Sequence, residues 1–151
     1  MFKNIISALL ILPIFFSCTD FHQPNTTSIS IDLSTPQTPN KKSIDEGKSV
    51  FMTFCLSCHQ KDASGVPGMY PPLQNNKVIT GDKKKIINIV INGLQGEIEV
   101  NDEIYSQTMP PQNYLTNKQI AQVLSFLRQN FGNKADSVKV TEVSTIRSPR
   151  K

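Results

Sequence analysis

The chain has 151 residues, 38% of them apolar, and a formal net charge of +4, which is enough for one domain with a modest core. The positive excess sits at the C-terminus: residues 18–132 hold ten bases and ten acids, whereas residues 133–151 hold five bases and two acids. The part able to fold is therefore neutral, and it carries no nucleic-acid signature.

The chain opens on an export signal. Lys3 gives a positive start, Ile5 to Phe16 is an apolar run of 12 residues, and Ser17 precedes Cys18. The run is too short to span a bilayer. A small residue before a Cys at the end of such a run resembles a bacterial lipoprotein signal, although Phe15 stands where that pattern usually has Leu. The resemblance implies residues 1–17 as signal peptide and Cys18 as the lipidated first residue of the mature chain. An ordinary secretory signal with an incidental Cys is the competing reading. Residues 18–42 follow as a disordered tether, since 15 of the 24 residues from Thr19 to Lys42 are Ser, Thr, Asn, Gln or Pro. That composition cannot bury a core, and as a flexible coil it reaches on the order of 25–30 Å.

Residues 43–132 form the expected folded unit. Ser43 to Phe54 reads as a helix with Ser43 as its cap, Asp45 and Glu46 in its first turn, and Gly47, Val50, Phe51 and Phe54 on one face. Residues 60–80 are rich in Gly and Pro and read as loop. Asp82 caps a second helix to Asn92, with Ile86, Ile87, Val90 and Ile91 inward and Gly93 as its stop. Gly96 to Gln107 is short and extended at best. Thr116 opens the clearest helix: Thr116 and Gln119 match a capping box, Ile120, Val123, Leu124 and Leu127 form an apolar stripe, and Gly132 ends it. Residues 133–151 read as a disordered basic tail.

Between the first helix and the loop lies Cys55-Leu56-Ser57-Cys58-His59, a C-x-x-C-H motif. Two intervening residues let the chain arch so that both thiols add across the two vinyl groups of a haem, while the adjacent imidazole binds the iron from one face. A thioredoxin-like dithiol wants a βαβ context, which is absent from the pattern. A zinc site wants two further ligands, and only Cys18 and His22 remain, both far upstream. One covalent haem c is therefore the expected cofactor. It also explains the thin apolar supply of a unit with three or so helices, since a buried haem completes the core and the protein part alone is poorly stable.

With the motif, the preceding helix, the Pro71-Pro72-Leu73 loop, the Met109-Pro110 pair and the amphipathic last helix, residues 43–132 resemble a class I cytochrome c domain. The stretch from Gly81-Asp82 through Gly93-Leu94-Gln95-Gly96 to Tyr105 and Met109-Pro110-Pro111 is similar to small cytochrome subunits of bacterial respiratory dehydrogenases and reductases. The resemblance implies an all-α fold whose terminal helices cross, here through Gly47 and Phe51 against Phe126, around one covalent haem. It implies His59 and Met109 as axial ligands, Met109 lying 50 residues beyond His59. A thioether is soft and neutral, and raises the reduction potential. Met52 reads as core packing and Met69 as cover for the haem edge. The resemblance also implies the Pro71 carbonyl as acceptor for the second ring nitrogen of His59. Tyr105 either bonds a haem propionate or only packs.

The expected function is single-electron transfer on the periplasmic side of a bacterial membrane, as a carrier and not an enzyme. Its partners are redox proteins: a dehydrogenase, a reductase or a terminal oxidase. The alternative is a haem-based ligand-binding sensor or peroxidase-like enzyme with a labile sixth ligand. Val66 to Asn76 and Ser106 to Asn117 contain no charged residue, so the docking contact is expected to be mainly apolar. Lys83, Lys84 and Lys85 read as a solvated helix end, with docking as the lesser reading.

Overall fold

Gly47, Val50 and Phe51 are the buried face of the first helix, α1 (Lys41–Phe54), in a computed structural model that describes residues 41–147. The expected signal peptide, Cys18, His22 and nearly all of the expected tether lie outside the described residues. Helix α1 is already formed at Lys41, two residues before the expected start, so Ser43 lies inside it and does not cap it. Asp45 accordingly pairs with Lys41 one turn back, at 2.9 Å, instead of facing the helix N-terminus.

Among the described residues, six helices and one hairpin run in the order α1, α2 (Leu56–His59), α3 (Lys77–Thr80), α4 (Lys83–Asn92), β1 (Ile98–Val100), β2 (Glu103–Tyr105), α5 (Asn117–Gln129) and α6 (Val140–Arg147). The class I cytochrome c fold implied by the resemblance is the fold found, with a two-stranded antiparallel hairpin added in the segment expected to be short and extended. Asn101 and Asp102 turn that hairpin with φ of 53° and 65°, the left-handed pair that matches strand twist.

The crossing of α1 on α5 is set by Gly47. A β-carbon there would lie 2.2 Å from the Gln122 carbonyl oxygen and 2.9 Å from Phe126 Cβ. Only a glycine lets the two backbones approach so closely. Beside it Phe51 meets Phe126 with ring centroids 6.0 Å apart, and Phe131, which the sequence pattern does not single out, completes a triad at 5.5 and 5.4 Å. Gly47→Ala is expected to lower stability by roughly 2–3 kcal/mol, even though Ala gains about 1 kcal/mol in helix propensity. Chemical denaturation of the haem-loaded protein checks this, and an unchanged midpoint would mean that the helices do not cross here.

The caps behave as local chemistry dictates. Asp82 accepts from Lys84 N at 2.9 Å, and the Thr116–Gln119 box is formed in both directions. Helix α3 lies in a stretch expected to be loop. Its cap, Asn76, accepts from Val78 N at 2.7 Å and Ile79 N at 3.3 Å, and donates to the Pro72 carbonyl at 2.6 Å. The signal for it is Asn before Lys77-Val78-Ile79-Thr80 with Gly81 after.

The C-terminal segment differs from the disordered tail expected of it. Residues 133–147 are ordered, and α6 buries Val143 completely, with Val138 5% exposed. Polar groups on the outer face of α5 hold the segment. The Arg128 guanidinium donates to the carbonyls of Ile79 (2.7 Å), Gly81 (3.0 Å) and Asp136 (2.6 Å), and to the Asp136 carboxylate (2.8 Å). Ser125 Oγ accepts from Val138 N at 3.0 Å, and Asn133 donates to the carbonyls of Leu73 and Leu127, both at 2.8 Å. Lys83 is not a solvated helix end. It pairs with Asp136 and, at 3.5 Å, with Glu142. Lys83 and then Arg128 hold the Asp136 carboxyl well below the usual range, at about 2. Composition misleads here because Val138, Val143 and Ile146 suffice to bury the segment once Ser125 and Arg128 meet its backbone.

Candidate haem site

The Cys-x-x-Cys-His segment forms a single tight turn, α2, whose His59 N–H closes back on the Cys55 carbonyl at 3.0 Å. This turn presents Cys55, Cys58 and His59 to an apolar cavity of ≈ 210 Å³. Both cysteines are half-buried, and they do not pair as a disulfide. Burial, then the neighbouring Cys58, pushes the Cys55 thiol up to about 11, so it stays protonated near neutral pH.

Residues 60–76 fold back over the turn. Gly65 is the tight point: φ is +69°, and a β-carbon would lie 2.2 Å from the Tyr70 carbonyl oxygen. Leu73 N and Gln74 N both donate to the Ala63 carbonyl, at 2.8 and 3.2 Å. The closure delivers the Pro71 carbonyl to His59, whose Nδ1 donates to it at 3.0 Å. The proton therefore sits on Nδ1, and Nε2 keeps its lone pair for a metal. Burial lowers the imidazole pKa, against the pull of the Pro71 carbonyl, which favours the neutral ring a metal needs.

Met109 is half-buried and lines the same cavity. Its backbone pairs with Leu94 in both directions, at 3.0 and 2.9 Å. Gly93 makes that approach possible, since a β-carbon there would fall 2.4 Å from the Met109 carbonyl oxygen. Gln112 N donates to the Val90 carbonyl at 2.9 Å, which ties the loop to α4 itself. The roles of Gly93 and Leu94 in seating Met109 do not show in the sequence, where Gly93 looks like a helix stop and no more.

The other two methionines among the described residues lie elsewhere. Met52 packs against the core as expected, and Met69 is 43% exposed and off the cavity wall. Tyr105 is buried but does not line the cavity either. Its hydroxyl donates to the Glu103 carboxylate at 2.7 Å. The remaining wall is mostly aliphatic, with Ile86, Ile98, Val100, Leu115, Leu124 and Leu127 contributing. Among the described residues no three His, Cys, Asp or Glu side chains gather as a metal cluster, so the zinc reading finds no ligand set there.

Two cysteine thiols one turn apart, a neutral imidazole with a fixed tautomer, a thioether and an apolar wall fit a covalent haem. The sequence pattern of the cytochrome c family matches residues 44–131. The chain belongs to the cytochrome c family. Its cofactor is accordingly covalently bound haem c.

Three relatives show the breadth of the family around it. The cytochrome c subunit of a quinone alcohol dehydrogenase from Gluconobacter oxydans (strain 621H) is 32% identical over 106 residues, 68% of this chain and 22% of that protein. Cytochrome c-552 of Thermus thermophilus is 32% identical over 83 residues, 52% of this chain and 63% of its own. The fructose dehydrogenase cytochrome subunit of Gluconobacter japonicus is 29% identical over 109 residues, 68% of this chain and 22% of that subunit. The chain thus spans only about a fifth of the two dehydrogenase subunits.

Proposed function

We propose that this cytochrome c is a single-electron carrier with one haem, attached through Cys55 and Cys58 and ligated by His59 and Met109. The observation that carries the reading is the convergence of His59, oriented by Pro71, and Met109, seated by Leu94, on one apolar cavity. When bound, haem iron supplies the one-electron couple. The chain's part is to hold both ligands on rigid backbone, so that little reorganises on reduction, and to keep water out with aliphatic walls.

The relatives favour a dehydrogenase as one redox partner, with a reductase or a terminal oxidase as the others in view. Phe54 of the cavity wall is 36% exposed and packs on Tyr114, 62% exposed, and Met69 is 43% exposed; Met69 and Tyr114 lie on charge-free loops, which supports an apolar docking contact. The hairpin adds an acidic flank that those loops leave out. Glu97, Glu99, Asp102 and Glu103 are all exposed, adjoining Ile98 and Val100 of the cavity wall. The carrier works on the periplasmic side, held by lipid at Cys18. No helix among the described residues is long and apolar enough to cross a membrane. Cys18→Ala is expected to move the protein from the membrane to the soluble fraction with its haem spectrum intact, and retention at the membrane would reject the tether.

A sensor or peroxidase-like enzyme would want an open iron face and a distal acid–base group, and His59 is the sole imidazole among the described residues. Carbon monoxide separates the readings. It is expected to leave the ferrous spectrum unchanged, and ready binding would replace the carrier reading with the ligand-binding one.

A further inference from the structure

Helix α6 also reaches the loop that carries Met109. The Arg147 guanidinium donates to the Asn113 carbonyl at 3.1 Å and the Leu115 carbonyl at 2.7 Å. Leu115 is 2% exposed and lines the same cavity as Met109. The loop is thus gripped at both ends, by Leu94 and Val90 near Met109 and by Arg147 near the start of α5. Nothing in residues 106–116 itself supplies the second grip. It comes from outside residues 44–131, the part that matches the family pattern.

The grip has a firm base. Val143 is fully buried, Lys83 pairs with Glu142 at 3.5 Å, and Glu142 caps α6 by accepting from Lys139 N at 2.6 Å. Two donors of one planar cation on two carbonyls two residues apart define an orientation as well as a distance.

We infer that residues 133–147 form a strap whose Arg147 clamps the 106–116 loop and thereby sets how easily the sixth ligand leaves the iron. The inference rests on the reading of Met109 as that ligand. Arg147 is a positioning residue, acting through the backbone of Asn113 and Leu115. Displacing Met109 by an outside ligand requires the loop to swing away, and with the clamp intact that motion breaks both Arg147 hydrogen bonds as well.

The test uses the full-length, haem-loaded protein. Imidazole is titrated into the ferric form, and the sulfur-to-iron charge-transfer band is followed with rising pH. Arg147→Ala is expected to tighten imidazole binding on the order of tenfold, because charge-assisted bonds are lost only from the closed state, and to shift loss of the band to lower pH. Arg147→Lys, which keeps the charge and one donor direction, is expected to fall between. Glu142→Gln loosens α6 without touching the loop and serves as the comparison.

Imidazole affinity in Arg147→Ala equal to wild type would overturn the clamp. So would a Glu142→Gln variant that shifts ligand binding as much as Arg147→Ala at equal loss of thermal stability, since general loosening would then explain both. A wild-type protein without the charge-transfer band would instead fail the Met109 reading, and the clamp with it. A wild-type protein with the band and an unresponsive Arg147→Ala fails the clamp alone.

Discussion

Changing Cys55 and Cys58 together to Ala is expected to abolish haem retention and, with it, the folded state. Each thiol adds across one vinyl group, so the double variant keeps no covalent link, and only the axial ligands His59 and Met109 are left to hold the cofactor. The haem is also part of the core. The wall left behind encloses ≈ 210 Å³, and an unfilled apolar cavity of that size costs about 5 kcal/mol, comparable to the whole stability of a small domain. The measurement is acid–acetone extraction and denaturing electrophoresis with haem staining, paired with circular dichroism. Wild-type protein keeps its haem through both treatments and the variant keeps none. A wild-type haem that washes out would end the covalent assignment. A double variant with native helix content would mean that the protein core needs no haem to close.

The second large effect is expected at Met109. Met109→His replaces a neutral thioether by a stronger donor that favours ferric iron. The reduction potential should fall by roughly 0.1–0.3 V, a fraction of the range open to axial ligation. The sulfur-to-iron charge-transfer band should vanish with it. Met69→Leu should leave both nearly intact, because Met69 is exposed and off the cavity wall. Potentiometric titration of the three proteins side by side decides the matter. If the band persists in the Met109 variant, the ligand lies elsewhere, and the pairing of Met109 with Leu94 serves only to close the loop.

Much of the chemistry is legible in the sequence because it is local. The C-x-x-C-H turn spans five residues, and its spacing follows from the distance between two vinyl groups and an iron. The caps at Asp82 and Thr116 are equally local, since each side chain bonds an amide two or three residues on. Gly47 and Phe51 also stand out, and the structure crosses α1 on α5 through them. Where a signal is local but weak, as at Asn76, it is lost in a loop dense with Gly and Pro.

The remainder depends on partners distant in sequence. Ser125 and Arg128 sit on what the helical stripe presents as the solvent face of α5, and only the return of residues 133–147 buries them. A charge-rich, apolar-poor segment reads as disordered when judged by its own composition, because composition carries no information about polar groups waiting 8 to 49 residues away. The pairing of Leu94 with Met109 and the reach of Arg147 to Leu115 have the same character, and the hydrogen bond from His59 to the Pro71 carbonyl was in view only through the family resemblance. The sequence by itself determined which cofactor the chain carries and where α4 and α5 begin, since bonding and capping act over a few residues. Tertiary structure alone decided which loops face the cavity and what holds them there, because a buried carbonyl gains its partner only after the chain between them has folded.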